Sequence, residues 1–400
     1  MSVIQFGGVD SETAAMLDFA DKPRLRLLLD HFAAIDDDRE QWRVAHPLPE
    51  VLLLAVCATI GGCDDFDEIV EWGEDNLDFL RRFLPYHHGL PCGRWLRSLM
   101  NRIDPTLFSD CFRSWAHSLW PNAPDLVAID GKTSRGSHDR GNGRAALHMV
   151  SAFATRERLV LGQEAVADGS CEQDTIPLLL EKLAASGALD GALVTIDAIA
   201  CNAKVAQAVL DAKADYLLAA KANQPNLMGE IERFFADAPE QSLDTDIDVD
   251  KGHGRVEERI VRVSADIGWL QGDRRFPGEY RFPRIAALAS VEARVHEKAA
   301  TRVQRRFYIA SRKMAAAELA RAVRGHWAIE NSLHWVLDVV FREDAARSRT
   351  GHGPANMAVV RHFAFNLLRA VDDKRSIKLR RKKAGRNTQY LAQILNPSPR

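Results

Sequence analysis

Three observations predict an α/β domain preceded by an all-helical one. From about Lys22 to Trp120 apolar residues recur at three- and four-residue intervals, the period of amphipathic helices. At Leu126 the texture changes to short Val-, Ile- and Leu-rich runs separated by turn residues, which read as strands. Further along, such runs alternate with helical stretches, the order that builds a parallel sheet. A chain of 400 residues is long enough for two or three domains. With 46% apolar and 27% charged residues it has the balance of a folded soluble protein and not of a disordered one.

In the first part, LRLLLDHFAAI, the run from Pro49 through Leu84, and DPTLFSDCFRSWAHSLW each carry the helical period. After the loop PNAPD come LVAID, ALHMVSAFA and LVLGQEAVA; the link Thr155 to Arg158 is short enough to make the last two an antiparallel hairpin. A helix is expected from about Asp174 to Ser186, then the strand ALVTID, a helix from Asn202 to Lys213, and the strand YLLAAKA. Alternating strands such as RVEERIVRV fill a β-rich insertion at about 225–314, and helical periodicity returns from Ala315 to Val340. Without the insertion the order is three strands, helix, strand, helix, strand, closing helix, which is that of a ribonuclease-H-like domain. The expected boundaries are a helical domain at 1–121, the α/β domain at 122–370, and a basic tail at 371–400.

Net charge is −2, so any nucleic-acid surface must be local. The first fifty residues hold ten acids against five Lys and Arg, whereas Arg361 to Arg386 hold ten Lys and Arg against two acids. The basic end is a candidate phosphate-binding surface or a solvated tail. Six cysteines without a CxxC pair suggest buried free thiols and neither a zinc ribbon nor a disulfide framework. The amino end has no basic segment leading into a long apolar run, and Val51 to Ile60 is about half a membrane span. The expectation is a cytoplasmic protein, nucleoid-associated when on DNA.

Asp130 and Asp197 each end an apolar strand run, LVAID and LVTID, where α/β sheets collect their ligands. The other reading is a helix cap or turn. A third acid, Glu330, recurs with His326, His334 and Asp338 every fourth residue along the closing helix, which predicts one face; a solvated polar face is the other reading, but Trp327, Trp335 and the histidines favour a buried, functional one. Three carboxylates suit magnesium, with open positions left for substrate phosphates. Two ions suit in-line phosphodiester attack better than one, with Asp130 bridging both, Asp197 and Glu330 flanking, and manganese as a substitute.

The segments AIDGKTSRGSHDR, LHMVSAFA, RLVLGQ, the IP pair in DTIPLLL, VTIDA, ADYLLAAKANQ, KGHGR, RGHWAIENSLHWVLDVVFRED and NMAVVRHFAFNLLR resemble the H-repeat-associated group of bacterial insertion-sequence transposases. The resemblance runs through most of the chain. It implies a DDE triad on Asp130, Asp197 and Glu330, magnesium-dependent hydrolysis at transposon ends, and strand transfer by the exposed 3′ hydroxyl. The chain departs from the family's pattern at Cys92 to Leu96, at Ser170 and Cys171 before Glu172, and at Ile199, Ala200 and Asn202. Two alternatives accompany this reading: a non-catalytic, decayed or recruited DNA-binding relative, and a magnesium nuclease without strand transfer.

Lys132 and Arg135 follow Asp130 closely and suit phosphate contact, a polar turn being the other reading. Arg380, Arg381, Lys382 and Lys383 are the expected DNA-binding cluster of the tail. GKTS lacks the upstream glycine of a phosphate-binding loop, so no nucleotide cofactor is expected. Strand alternation sets His253, Arg255, Glu257 and Arg259 on one face, as a DNA contact or a salt-laced hairpin. The expected partners are DNA, as transposon ends and target, and a second copy of the chain in the DNA complex; no membrane partner is expected.

Overall fold

The computed structural model describes residues 22–197, 201–221, 224–252, 255–271, 281–296 and 301–396. Two units divide them: residues up to 119 with 133–147 and 335 onwards, and residues 120–132 with 148–334. No described helix is long and apolar enough to cross a membrane.

The second unit is built on one nine-stranded mixed sheet. Its strands are β1 Leu126–Ser134, β2 Leu147–Ala154, β3 Leu159–Ala165, β4 Leu193–Ile196, β5 Asp215–Ala220, β6 Asp244–Gly252, β7 Arg255–Ser264, β8 Ala287–His296 and β9 Thr301–Ala310. Their order is β3-β2-β1-β4-β5-β9-β8-β7-β6. β2 and β3 form the expected antiparallel hairpin, while β1, β4 and β5 run parallel. One core of the unit lies under α7 Glu172–Ala184 and α8 Ala203–Asp211, where Ile129, Val194, Leu180 and Val205 are buried together. The other, with Leu217, Ala289 and Leu319, lies under α11 Ala316–Ile329, the helix that follows the one-turn α10 Gly268–Gln271 in the chain.

The segment expected as an insertion continues the same sheet. β9 pairs antiparallel with β5, Leu218 opposite Ile309, so strands β6 to β9 extend the β1–β5 sheet. The segment is also not β-rich from its start: Pro225, Asn226 and Leu227 open the helix α9, Pro225–Asp237, because proline's fixed φ suits a first helical turn.

The first unit is helical: α1 Pro23–Ala33, α2 Leu48–Gly61, α3 Phe66–Asp75, the short α4 Leu77–Leu80, α5 Gly93–Arg102, α6 Pro105–Leu119, then α12 Trp335–Val339, α13 Gly353–Ala370, α14 Ile377–Ala384 and α15 Thr388–Leu395. Asp65 caps α3 by accepting from the backbone N–H groups of Asp67 and Glu68. α2 is apolar on nearly every side, as a central helix must be, and both it and α13, which also buries Asn356, Arg361, His362 and Asn366, are buried along most of their lengths. Phe363 of α13 sits in a ring cluster with Phe32, Phe108, Phe112 and Trp115, at centroid distances of 5.2, 5.8, 5.0 and 4.8 Å. Asn356 ties the same helix to α5 by donating to the carbonyls of Met100 and Ile103.

The expected boundary at 370 therefore differs from the units. Residues 335–370 pack with the amino-terminal helices because α13 supplies the centre of their core, and 371–400 is no loose tail: its described part forms α14 and α15. Phe363→Leu keeps the bulk of the side chain but loses the ring contacts, so it should lower the stability of this unit by about 1–2 kcal/mol, read by denaturant unfolding. An unchanged midpoint would show that the cluster contributes nothing beyond its volume.

Candidate active site

β1 and β4 place Asp130 and Asp197. The last shared rung is Ile129 opposite Ile196, so the next residue of each is an aspartate, side by side across parallel strands roughly 4.8 Å apart. The expectation that both end their strands holds for Asp197, which follows β4. Asp130 lies inside β1, which runs four residues further, to Ser134.

Glu330 comes from the third direction. α11 ends at Ile329, and residues Glu330–His334 form a π-helical turn before α12. Such turns carry one extra residue and recur where helices bear functional side chains. The expected four-residue stacking of His326, Glu330, His334 and Asp338 on one unbroken helix is thereby interrupted, and Asp338 belongs to the other unit. The expected buried face is instead graded: Glu330 is exposed, while His326 and His334 are half-buried.

The electrostatics join these residues. Asp130, with its side chain 20% exposed, is pushed up to about 7. Burial is the main cause, and the carboxylates of Glu172, Glu330 and Asp197 add to it; the Gly131 backbone N–H, donating at 2.9 Å, opposes it. Asp197 is half-exposed and accepts from Lys221 Nζ at 3.1 and 3.4 Å. His334 Nδ1 lies 3.6 Å from Asp130 Oδ2. His326 Nδ1 lies 3.0 Å from Thr195 Oγ1, and burial lowers its pKa against the pull of Asp197.

A small cavity of about 90 Å³ is lined by Asp197, Lys221, His326 and Glu330 together with Tyr308, Arg306 and Trp327. Arg306 lies over the Trp327 ring at 4.9 Å. A larger groove of about 530 Å³ runs beside it along the β6–β9 face and α11, lined by Arg259, Arg306 and Arg324 as well as Asp246, Asp248 and Glu257. Glu257 and Arg259 form an ion pair there at 2.7 Å. His253 and the side chain of Arg255 lie outside the described residues, as do Ile199 and Ala200.

The expected DNA-contacting residues scatter. Lys132 is half-buried in β1, two residues past Asp130. Arg135 belongs to the helical unit, where its backbone N–H and side chain both meet Asp344, at 3.0 and 3.6 Å. Arg380 and Arg381 are buried and already committed. Arg380 donates to the Leu368 carbonyl, the Asp373 carbonyl and the Asp373 carboxylate at 2.5, 2.6 and 2.8 Å. Arg381 donates to the carbonyls of Thr59 and Val340 and to Asp64, and lies over the Phe341 ring at 4.4 Å. As phosphate contacts these two are corrected to structural arginines. Only Lys382 is exposed; Lys383 is half-buried with its ammonium 4.1 Å from the Tyr390 ring centroid.

Sequence reasoning missed Lys221, Arg306, His148 and Glu172, although Lys221 follows a strand run just as the aspartates do. Nor are all the cysteines buried: Cys92 and Cys171 are exposed.

Two family models match. The model described as DDE_Tnp_1-associated covers residues 29–116, and the Transposase DDE domain covers 121–367. "Putative transposase YncI" of Escherichia coli O157:H7 is 36% identical over 381 residues, 93% of this chain and 95% of that protein. "H repeat-associated putative transposase YhhI" of Escherichia coli strain K12 is 33% identical over 381 residues, 93% of this chain and 98% of its own length. "Putative protein YbfL" of the same strain is 34% identical over equal shares. A domain model spanning more than half the chain, together with relatives matched nearly end to end, shows that this chain belongs to the H-repeat-associated group of DDE transposases.

Proposed function

We propose that this transposase hydrolyses phosphodiester bonds at the ends of its insertion sequence and joins the freed 3′ hydroxyl to target DNA, from a ribonuclease-H-like domain whose Asp130, Asp197 and Glu330 hold magnesium. One observation carries the reading. Two aspartates adjoin on neighbouring parallel strands, and the Asp130 carboxyl is pushed up to about 7, by burial first and then by the carboxylates of Glu172, Glu330 and Asp197. Such a cluster is costly unless a cation neutralises it.

The donors fit a hard cation, being carboxylate oxygens that leave room for substrate. Among the described residues no group of three or more His, Cys, Asp or Glu is placed to hold one ion, so Asp197 and Glu330, both open to solvent, must turn inward to do so. When bound, two such ions activate the entering oxygen and stabilise the leaving one. The protein's own residues do the rest. Lys221 holds Asp197 and would meet a phosphate once that carboxylate turns, His326 anchors α11 to Thr195 of β4, and Lys132 stands two residues past Asp130 on β1. Exposed Lys382 is the residue of the C-terminal cluster available for DNA, and a pair of copies would serve two transposon ends.

The test is a labelled transposon-end duplex offered with a target plasmid and magnesium. Nicking followed by covalent joining supports the proposal. Nicking alone makes the chain a nuclease, and end binding without either makes it a DNA-binding relative of the active enzymes.

A further inference from the structure

A fourth acid stands beside Asp130 on the side away from Asp197. Glu172 is the first residue of α7, and its Oε1 lies 2.7 Å from Nε2 of His148. His148 is on β2, the neighbour of β1 opposite to β4. Asp130 is thus flanked by Asp197 through one adjacent strand and by the His148–Glu172 pair through the other. The pair is packed against the backbone that follows Asp130: a Cβ on Gly131 would stand 2.1 Å from Glu172 Oε1 and 2.6 Å from His148 Nε2. Both side chains keep a minor exposure, 21% for Glu172 and 28% for His148, so neither is sealed in the core. A helix start is a favourable place for a carboxylate, and there Glu172 meets His148.

We propose that Glu172, oriented by His148, is a positioning residue of the catalytic centre: it adds a fourth negative charge beside Asp130 and so tightens the hold on the divalent cation. The inference rests on the cation-dependent reading of the site given above. His148 keeps the Glu172 carboxylate from turning toward solvent, and Gly131 leaves the space in which the two approach. Residues that support metal-binding side chains in this manner commonly change metal affinity by about 10- to 100-fold when lost.

The experiment measures manganese binding to the purified chain without DNA, by the loss of the free-ion electron paramagnetic resonance signal, in the parent, Glu172→Gln, Glu172→Asp and His148→Gln. Glu172→Gln should weaken binding by about tenfold or more, Glu172→Asp should recover part of it, and His148→Gln should fall between parent and Glu172→Gln. The melting temperature of cation-free Glu172→Gln should equal or exceed that of the parent, because a repelling charge has gone; a purely structural role would lower it and leave the affinity alone. In cleavage assays the concentration of magnesium giving half-maximal rate should rise while the rate at saturating magnesium changes much less. A parent that binds manganese with Glu172→Gln unchanged overturns this inference and leaves the proposed function standing. A parent that binds no divalent ion removes both.

Discussion

Asp130→Asn should abolish cleavage of a transposon-end duplex and yet make the cation-free protein more stable at pH 8. Asparagine matches aspartate in size and lacks the charge that holds a divalent cation, so the rate should fall at least about a thousandfold, equivalent to roughly 4 kcal/mol of transition-state stabilisation. The stability change follows from the raised carboxyl. Burial first, then Glu172, Glu330 and Asp197, push Asp130 up to about 7 in the folded chain, against about 3.9 unfolded. Between those values the folded state binds the proton and the unfolded state does not, so the parent loses stability as pH rises from about 4 to about 7 and stays at the lower level above. The variant has no such slope. Its melting temperature should therefore match the parent's near pH 4 and exceed it at pH 8, and added magnesium should raise the parent's alone. A parent no less stable than the variant at pH 8 would mean that the acids do not repel as described.

Arg381→Gln should be among the most damaging single changes in the helical unit, although it lies in a segment that reads as a basic tail. The guanidinium joins the end of α2, through Thr59, to the Val340 carbonyl and to Asp64. Burial already raises the Asp64 carboxyl and Arg381 offsets that rise. Removing the cation leaves two backbone acceptors and a carboxylate without their donor, at a cost of about 3–5 kcal/mol. Lys382→Gln, one residue on and exposed, should change stability by no more than about 0.5 kcal/mol. If Lys382 touches DNA, the same change flattens the salt dependence of binding by about 0.9 log units per log of salt. Equal melting temperatures for Arg381→Gln and the parent would show that the C-terminal helices are anchored elsewhere.

These two residues mark what the sequence discloses and what it conceals. Asp130 and Asp197 were legible because each follows a run of strand-forming residues, and because the repeated LVxID pattern sets them in matching register. Glu330 was legible as a member of a four-residue series, but the π turn that begins at it was not, since one extra residue in a turn leaves no periodic trace. Glu172 carries no periodic signal either; its place beside Asp130 comes from β2 and α7 converging on Gly131. Arg380 and Arg381 misled because composition counts charge without reporting where it points. Arginines that satisfy buried carbonyls look in sequence like arginines that wait for phosphate. The packing of α13 to α15 was hidden for a related reason: nothing local says that a helix more than two hundred residues downstream packs with the amino-terminal helices.

Iron-directed cleavage of the polypeptide tests the central claim, that Asp130, Asp197 and Glu330 form one divalent-cation centre. Ferrous iron replaces magnesium at oxygen-donor sites and, with ascorbate and peroxide, cuts the backbone nearest to it. Fragments should end near residues 130, 197 and 330, be suppressed by excess magnesium and be absent from Asp130→Asn. Cuts confined to other segments, or the same three cuts undiminished in Asp130→Asn, would contradict it.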